Sequence, residues 1–262
     1  MGSGEGRVAI VTGSATGLGA AAARRLASRG WRVAINYTKS EAEARATAAE
    51  CERLGGAAFP CRADVARDDD CRRLAAETLG RWGRIDALVN NAGTTKFVRA
   101  DDLDGLTAED FERIFAVNVV GAWQMTRACV PALRASGNGA IVNMSSDSSL
   151  LGSGSSIAYA ASKGALNTLT LGLARTLAPA IRVNAVCPGF AETRWVKNSM
   201  PPEAFPAFKR GVERITPLGR MTQPEEVADA VAWLIEGAAM ITGQLLVIDG
   251  GTHLTSQTPT VR

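Results

Sequence analysis

The chain holds 262 residues, of which 46% are hydrophobic and 21% charged, with a formal net charge of +3. So small a charge, with no basic cluster and only 5% aromatics, argues against a nucleic-acid footprint and against platforms that stack bases. No apolar run approaches the roughly 18 residues of a membrane span. Met1–Gly6 lacks the charged-then-apolar order of a signal peptide, and Gly6 stands where a myristoylation motif wants Ser or Thr. These features predict a cytoplasmic globular protein with no nucleic-acid or membrane partner. Its length suits one α/β domain of about 250 residues with a water-excluding core.

Short β-branched runs alternate with longer helical patterns. Arg7–Thr12 predicts a first strand and Leu18–Ser28 a helix stopped by Gly30. Trp31–Asn36 is the second strand, followed by a helix over Glu41–Leu54 that Gly55-Gly56 ends. Ala57–Cys61 then precedes a helix over Asp69–Trp82, with Asp68 as its cap. Ile85–Asn90 leads to one long helix, Ala108–Ala135, opened by Thr107 with Asp110 three positions on. Strand Ala140–Met144, helix Ile157–Leu177 and strand Ile181–Val186 follow. Helix Pro224–Ile235, started by Thr222 and Pro224, and strand Leu245–Ile248 close the pattern.

Strand–helix–strand alternation builds a parallel sheet, because right-handed crossovers return each strand beside the last. The expected architecture is a single doubly wound α/β Rossmann domain over 1–262, with a seven-stranded parallel sheet and helices on both faces. One stretch, 188–217, is irregular. It carries Trp195, Phe205, Phe208 and several prolines, too apolar a set for a linker, and reads equally as a mobile substrate lid or as a packed surface segment.

Five cysteines (Cys51, Cys61, Cys71, Cys129 and Cys187) include no C-x-x-C pair, and their odd number argues against a disulfide framework. They read as small apolar fillers. The single histidine, His253, makes a His-ligated metal site untenable, so no metal is expected. It also leaves a Ser-His-Asp hydrolase only one base, near the end of the chain.

The first strand runs into Thr12-Gly13-Ser14-Ala15-Thr16-Gly17-Leu18-Gly19, which opens the first helix. Glycines allow a sharp turn and close approach to a diphosphate, while the helix N-terminus offers free N–H groups and partial positive charge. The pattern T-G-x-x-x-G-x-G is neither a Walker loop nor G-x-G-x-x-G. It resembles the short-chain dehydrogenase/reductase family, and further motifs follow in the family's order. These are Asn90-Asn91-Ala92-Gly93, Asn118, Ser145-Ser146, Tyr159-x-x-x-Lys163, Pro188-Gly189 with Thr193, and the tail from Pro217 to Gly251. The resemblance spans about the whole chain.

Of the two tyrosines, Tyr37 and Tyr159, only Tyr159 has a lysine four positions on, and i,i+4 residues share a helix face. A free phenol ionises near about pH 10, and a neighbouring cation typically lowers an acid by roughly 1–3 units. Lys163, helped by a cationic nicotinamide, is therefore expected to bring Tyr159 toward neutrality. The resemblance implies four catalytic residues: Tyr159 as general acid/base, Ser146 as donor to the substrate oxygen, Lys163 as ribose ligand, and Asn118 as anchor of a proton-passing water chain. Ser145, Ser148 and Ser149 read as an ordinary polar turn.

The cofactor residues implied are Gly13, Thr16, Gly17, Leu18, Gly19, Tyr37, Thr38, Lys39, Asp64, Val65, Asn91, Ala92, Gly93, Tyr159, Lys163, Pro188, Gly189 and Thr193. After the second strand, Asn36-Tyr37-Thr38-Lys39-Ser40 holds no carboxylate to receive a ribose 2′-hydroxyl. Thr38 and Lys39 favour a 2′-phosphate, so NADP(H) is preferred, with NAD(H) possible; Thr16, where many NADP-using members carry a cation, tempers that preference.

Loops at the carboxyl ends of the strands should contact substrate, which nominates Thr94, Lys96, Asp147, Leu151, Phe190, Trp195 and Lys197. Their mixed chemistry suits a polar or anionic substrate, or an ordinary solvated rim. The expected reaction is hydride transfer between nicotinamide and a small-molecule ketone or secondary alcohol. The alternative is a 3-oxoacyl-acyl-carrier-protein reductase, the branch the tail resembles. Against it, the carrier-docking positions fall on Pro131 and on Ala178-Pro179-Ala180, leaving Arg127, Arg134 and Arg182 as substitutes. A third reading, a non-catalytic dinucleotide sensor, would have been free to lose Ser146, Tyr159 or Lys163. Apolar residues on more than one face of the two longest helices fit the homotetramer usual in the family.

Overall fold

Seven strands, β1 (Val8–Val11), β2 (Arg32–Tyr37), β3 (Ala57–Arg62), β4 (Ala87–Asn90), β5 (Gly139–Met144), β6 (Ile181–Pro188) and β7 (Leu245–Ile248), form one parallel sheet of order β3-β2-β1-β4-β5-β6-β7. The computed structural model describes residues 6–255. Register is continuous through the middle: Ile10 opposes Leu88, and Leu88 opposes Ile141. Side chains alternate along a strand, so β1 sends Ala9 and Val11 into one core and Ile10 into the other. Both faces are dry, which is why the strands read as continuous apolar runs.

The first core lies under α1 (Gly17–Ala27), α2 (Glu41–Arg53) and α10 (Pro224–Glu236), where Leu26, Val33, Ile35 and Val231 are wholly buried. The second lies under α3 (Asp68–Trp82), α5 (Ala122–Ala135) and α7 (Ile157–Leu177), where Leu74, Met125, Leu133 and Ile141 are wholly buried. At roughly 1.5–3 kcal/mol for each large side chain buried, these two layers dominate the driving force for folding. All five cysteines are buried and unpaired, and burial pushes the Cys51, Cys61 and Cys71 thiols up to about 12.

The chain reverses its winding between β1 and β4, which are neighbours in the sheet. Such a switch leaves a crevice at the carboxyl ends of the strands. The glycine bend after β1, the loop after β4 and the loop after β5 all open there.

Several local expectations change. The long helix expected over Ala108–Ala135 is three pieces: α4 (Ala108–Phe115), a π-turn over Ala116–Gly121, and α5. The Thr107–Asp110 capping box opens α4 as expected. The π-turn falls where Asn118 reaches out to Thr94 and Ser162 and where Gly121 presses on Val65; a Cβ at 121 would stand 2.8 Å from Val65 Cγ2. Apolar periodicity runs through that insertion undisturbed, so the pattern carried no sign of it. Asp68 is not the cap of α3 but its first residue, spent instead on ion pairs to Arg72 and Arg127. Gln223, boxed with Glu226, caps α10, while Thr222 bridges to Ala191. The 188–217 stretch contains two helices, α8 (Arg194–Lys197) and α9 (Phe205–Ile215). A four-residue helix, α6 (Ser148–Leu151), follows β5.

Candidate active site

The glycine bend is built by backbone crowding. Gly13 has φ +60°, and a Cβ there would lie 2.9 Å from the Ala92 Cα. At Gly19 a Cβ would strike the Asn91 amide and stand 2.7 Å from the Gly13 carbonyl. Asn91 Nδ2 donates to the carbonyls of Thr12 at 2.8 Å and Gly13 at 3.0 Å, while the Asn91 and Ala92 amides both donate to Thr12 Oγ1 at 2.9 Å. The loop after β4 thus clamps the bend. Asn36, unremarked in the sequence, adds a second clamp: its Oδ1 accepts from the Gly13 amide at 3.0 Å and its Nδ2 donates to Ala63 O at 2.9 Å.

Beyond the crowded glycines, Gly17 is open. It has φ +61°, and its nearest neighbour to an added Cβ is Thr193 Cγ2 at 3.9 Å. Helix α1 receives no side-chain cap from Thr16 and has no acid in its first turn, so its N-terminal charge faces the crevice uncompensated. That cradle fits a dinucleotide diphosphate. Leu18 packs against the first core, and the Asp64 carboxylate accepts from the Ala66 amide at 3.0 Å, next to the buried Val65. Tyr37 is half-buried at the end of β2; Thr38 and Lys39 are exposed.

Across the crevice, Ser156 caps α7 by accepting from the Tyr159 amide at 3.2 Å. One turn on, Lys163 is buried, donates to Met144 O at 2.7 Å, and holds its Nζ 5.5 Å from the Tyr159 ring centre. Gly93 lies beside this ammonium and beside Asn118 Oδ1; a Cβ added there would sit 3.7 and 3.5 Å away. Asn118 ties the β4 loop down, its Oδ1 accepting from the Thr94 amide at 2.8 Å and its Nδ2 donating to Thr94 O at 3.0 Å and Ser162 Oγ at 2.9 Å. Ser162 was not singled out in the sequence, where a serine on an apolar helix face carries no signal.

Burial raises the Tyr159 phenol above its ordinary range, with Ser146 pulling it down and Asp147 pushing it further up. Burial also lowers Lys163 to about 8. In the chain alone desolvation is the largest influence on both groups, moving the phenol up and the ammonium down. The serines after β5 divide. Ser145 Oγ donates to Asn167 Oδ1 at 2.6 Å, Asn167 Nδ2 donates to Ser149 Oγ at 2.7 Å, and Ser149 Oγ donates to Ser146 O at 2.5 Å, all stitching the turn to α7. Ser146 Oγ takes no part in that stitching: it donates toward Asp147 Oδ1 at 3.1 Å, and hydrogen bonding to Ser146 also pulls the Tyr159 phenol down.

The sequence and the fold that carry this site match those of known proteins. A family model described as enoyl-(acyl carrier protein) reductase matches residues 13–253. A crystal structure from Burkholderia xenovorans, described as a short-chain dehydrogenase/reductase, superposes with a TM-score of 0.89 at 42% identity, covering 95% of this chain and 98% of that one. The chain belongs to the short-chain dehydrogenase/reductase family. A Streptomyces violaceoruber protein described as a ketoacyl reductase of the granaticin polyketide synthase is 44% identical, with 95% of this chain and 97% of that protein covered. A 3-oxoacyl-acyl-carrier-protein reductase of Synechocystis is 36% identical, with 94% and 96% covered. The protein is therefore an NAD(P)-dependent oxidoreductase acting on CH–OH groups.

In this short-chain dehydrogenase/reductase the nominated substrate residues differ in their surroundings. Trp195 is 42% exposed and lies 6.3 Å from the Tyr159 ring, and Leu151 is 38% exposed. Phe190 stacks edge-on to Phe208 at 5.4 Å, inside the 188–217 segment. Lys96 is neutralised by Asp110 at 2.6 Å and Lys197 by Glu192 at 3.2 Å. Thr94 is held by Asn118 through its backbone. Asp147 is buried rather than on the rim, accepting from Ser146 Oγ at 3.1 Å. Trp195 and Leu151 thus leave exposed apolar surface, while Lys96 and Lys197 are ion-paired. Arg182 is corrected too. It is buried and donates to Leu234 O at 2.6 Å, Ala238 O at 3.0 Å and Ile235 O at 2.8 Å, which closes the end of α10 and leaves it nothing to offer a partner. Among the described residues no helix is long and apolar enough to cross a membrane, and no group of three His, Cys, Asp or Glu side chains is arranged to hold a metal ion.

Proposed function

We propose that the protein is an NADP(H)-preferring reductase of small-molecule ketones, and in reverse a secondary-alcohol dehydrogenase, with Ser146, Tyr159, Lys163 and Asn118 as its catalytic residues. The observation that carries this reading is the buried Lys163, its Nζ 5.5 Å from the centre of the Tyr159 ring, with Ser146 hydrogen bonding acting on the same phenol. The nicotinamide cofactor, when bound, supplies the hydride for ketone reduction or accepts it in alcohol oxidation. Tyr159 gives its proton to the oxygen as the carbon–oxygen π bond breaks, and burial keeps that proton in place until it is needed. Ser146 steadies the negative charge growing on the same oxygen. Lys163 would hold the nicotinamide ribose, and its charge restores the phenol's acidity once a further cation lies alongside. Asn118 fixes the loop that carries Gly93 and anchors proton return to Lys163.

The remaining cofactor contacts follow from the cradle. Gly13, Thr16, Gly17, Leu18 and Gly19 would hold the diphosphate. Asp64 and Val65 would take the adenine. Asn91, Ala92, Gly93, Pro188, Gly189 and Thr193 would line the nicotinamide half. NADP(H) is preferred because exposed Thr38 and Lys39 end β2 with no carboxylate to repel a 2′-phosphate. The 188–217 segment serves as a substrate lid, clasped at its base where Ala191 bridges Thr222. The half-exposed Val120, Trp123 and Leu171 are surfaces a homotetramer would cover.

The apolar mouth around Trp195 and Leu151 favours a ketone with a hydrophobic body. The acyl-carrier alternative keeps the support of the Synechocystis relative. It loses Arg182 to the core and Arg127 to Asp68, leaving Arg134 of the three basic substitutes. The test is NADPH oxidation with a panel of ethyl acetoacetate, acetoacetyl-N-acetylcysteamine, an acetoacetyl carrier protein and a 3-ketosteroid, comparing the parent with Tyr159→Phe. Turnover of a free ketone that Tyr159→Phe reduces by about 10²-fold or more supports the reading. Turnover of the carrier-bound substrate alone selects the alternative, and turnover that survives Tyr159→Phe removes Tyr159 as the acid.

A further inference from the structure

The Ser146 hydroxyl has one proton and three internal acceptors within reach: Asp147 Oδ1 and Ser148 Oγ, both at 3.1 Å, and Pro188 O at 3.5 Å. It also accepts from the Ser148 amide at 3.2 Å. A proton given to Asp147 is not available to a substrate. We propose that Asp147, packed against an Asp249–His253 pair from the chain's last turn, is a positioning residue whose protonation decides whether the Ser146 proton is free for the substrate oxygen. The proposal rests on the role given to Ser146 above.

The cluster is close-packed. Gly189 lies between the two residues: a Cβ there would stand 2.7 Å from Asp249 Cβ and 3.2 Å from the Asp147 carboxyl at Oδ2. Asp249 is buried and fully committed, accepting from the amides of Gly251 at 2.8 Å and His253 at 2.7 Å and pairing with His253 Nδ1 at 2.8 Å. Four titratable groups act on or feel Asp147: Asp249 and His253 from the final turn, Tyr159 from α7 and Cys187 from β6. Burial and the Asp249 charge push the Asp147 carboxyl up to about 6, against the pull of the Ser146 hydrogen bond and of His253.

The sign follows. Above that pH the ionised Asp147 is the strongest acceptor Ser146 can find, and it draws the hydroxyl proton inward. Below it, the protonated carboxyl donates to Ser146 Oγ, and the serine proton turns to the substrate. Because the donor acts on charge that develops in the transition state, the effect falls on kcat, with KM little changed. An amide at 147 donates to Ser146 at every pH and so mimics the protonated form.

His253 is the only histidine in the chain, so its ring proton resonances can be followed without assignment. In the wild type, titrating the full-length protein from pH 4.5 to 8 should show an inflection near about 6 in the His253 C2–H shift that reports Asp147 and is lost in Asp147→Asn. Superimposable curves for the two proteins would overturn the coupling. With the panel ketone reduced fastest, wild-type kcat should fall about tenfold or more between pH 5 and 8, whereas Asp147→Asn stays flat and exceeds the wild type at pH 8. A folded Asp147→Asn that keeps the wild-type profile, or is slower at every pH, would also overturn the proposal. His253→Gln provides a variant that leaves the 147 position intact; loss of its charge should move the kcat inflection upward, and an unmoved inflection counts against the cluster. If the wild type reduces no ketone, the proposed function fails, while the resonance experiment still reports on Asp147.

Discussion

Lys163 Nζ stands 5.5 Å from the centre of the Tyr159 ring, and its hydrogen bond is to the Met144 carbonyl at 2.7 Å. Lys163 is buried and Tyr159 half-buried, and desolvation drives each toward its neutral form. That suits a site waiting to donate a proton, and it makes the lysine a thermodynamic burden on the fold.

The burden is measurable. Lys163 falls from an ordinary 10.5 to about 8 in the folded protein, so between those values the unfolded chain binds more protons. Stability attributable to this residue therefore rises with pH across that window and is lowest below about 8. Lys163→Met removes the titration. The difference in unfolding free energy between wild type and Lys163→Met should shift in favour of the wild type by about 3 kcal/mol from pH 8 to 10.5. Denaturant unfolding at a series of pH values reads it, and a difference that does not change with pH would show that the ammonium is well solvated.

Two glycines of the bend should respond differently to alanine. Gly19→Ala places a methyl group against Asn91 and 2.7 Å from the Gly13 carbonyl, so the clamp must open. Gly17→Ala meets nothing closer than 3.9 Å and costs only the left-handed backbone, about 1–2 kcal/mol. Thermal melts should show the larger loss for Gly19→Ala, and titration of NADPH fluorescence should show binding abolished there. Equal behaviour in both variants would mean that crowding is not what shapes the bend.

The difference between these glycines marks what the sequence could and could not reveal. The succession of strands and helices and the Tyr159–Lys163 face were legible because periodicity and i,i+4 spacing are local. The clamps were not: Asn36 reaches Gly13, and Asn118 reaches Ser162, across separations that no window covers. The π-turn at Ala116–Gly121 was invisible because an inserted residue leaves the composition of a helix unchanged. His253 was discounted for its isolation in sequence, whereas the fold seats it on Asp249 beside Asp147. The pairing of Lys96 with Asp110 and of Lys197 with Glu192 was equally hidden, because no local pattern joins the partners.

Cofactor choice should turn on the end of β2. Lys39→Glu replaces an exposed cation with an anion where a 2′-phosphate would lie, so repulsion takes the place of attraction. The expected outcome is a rise of about tenfold or more in KM for NADPH, equivalent to ~1.4 kcal/mol or more, with KM for NADH nearly unchanged. Parallel loss with both dinucleotides would place Lys39 outside the ribose site.

Arg182 offers a test of structure against docking. Its guanidinium is buried and donates to three carbonyls at the end of α10, those of Leu234, Ile235 and Ala238. A helix terminus leaves such acceptors without partners, and a cation there also meets the negative end of the dipole. Arg182→Ala strands these acceptors in a site closed to water, and hydrogen bonds to a charged group contribute about 1.5–3 kcal/mol each in net terms. The substitution should therefore lower Tm by several degrees while leaving KM for both free and carrier-bound ketones unchanged in the protein that remains folded. A selective rise in KM for the carrier-bound substrate, with Tm intact, would put Arg182 on the surface and return the acyl-carrier reading to first place.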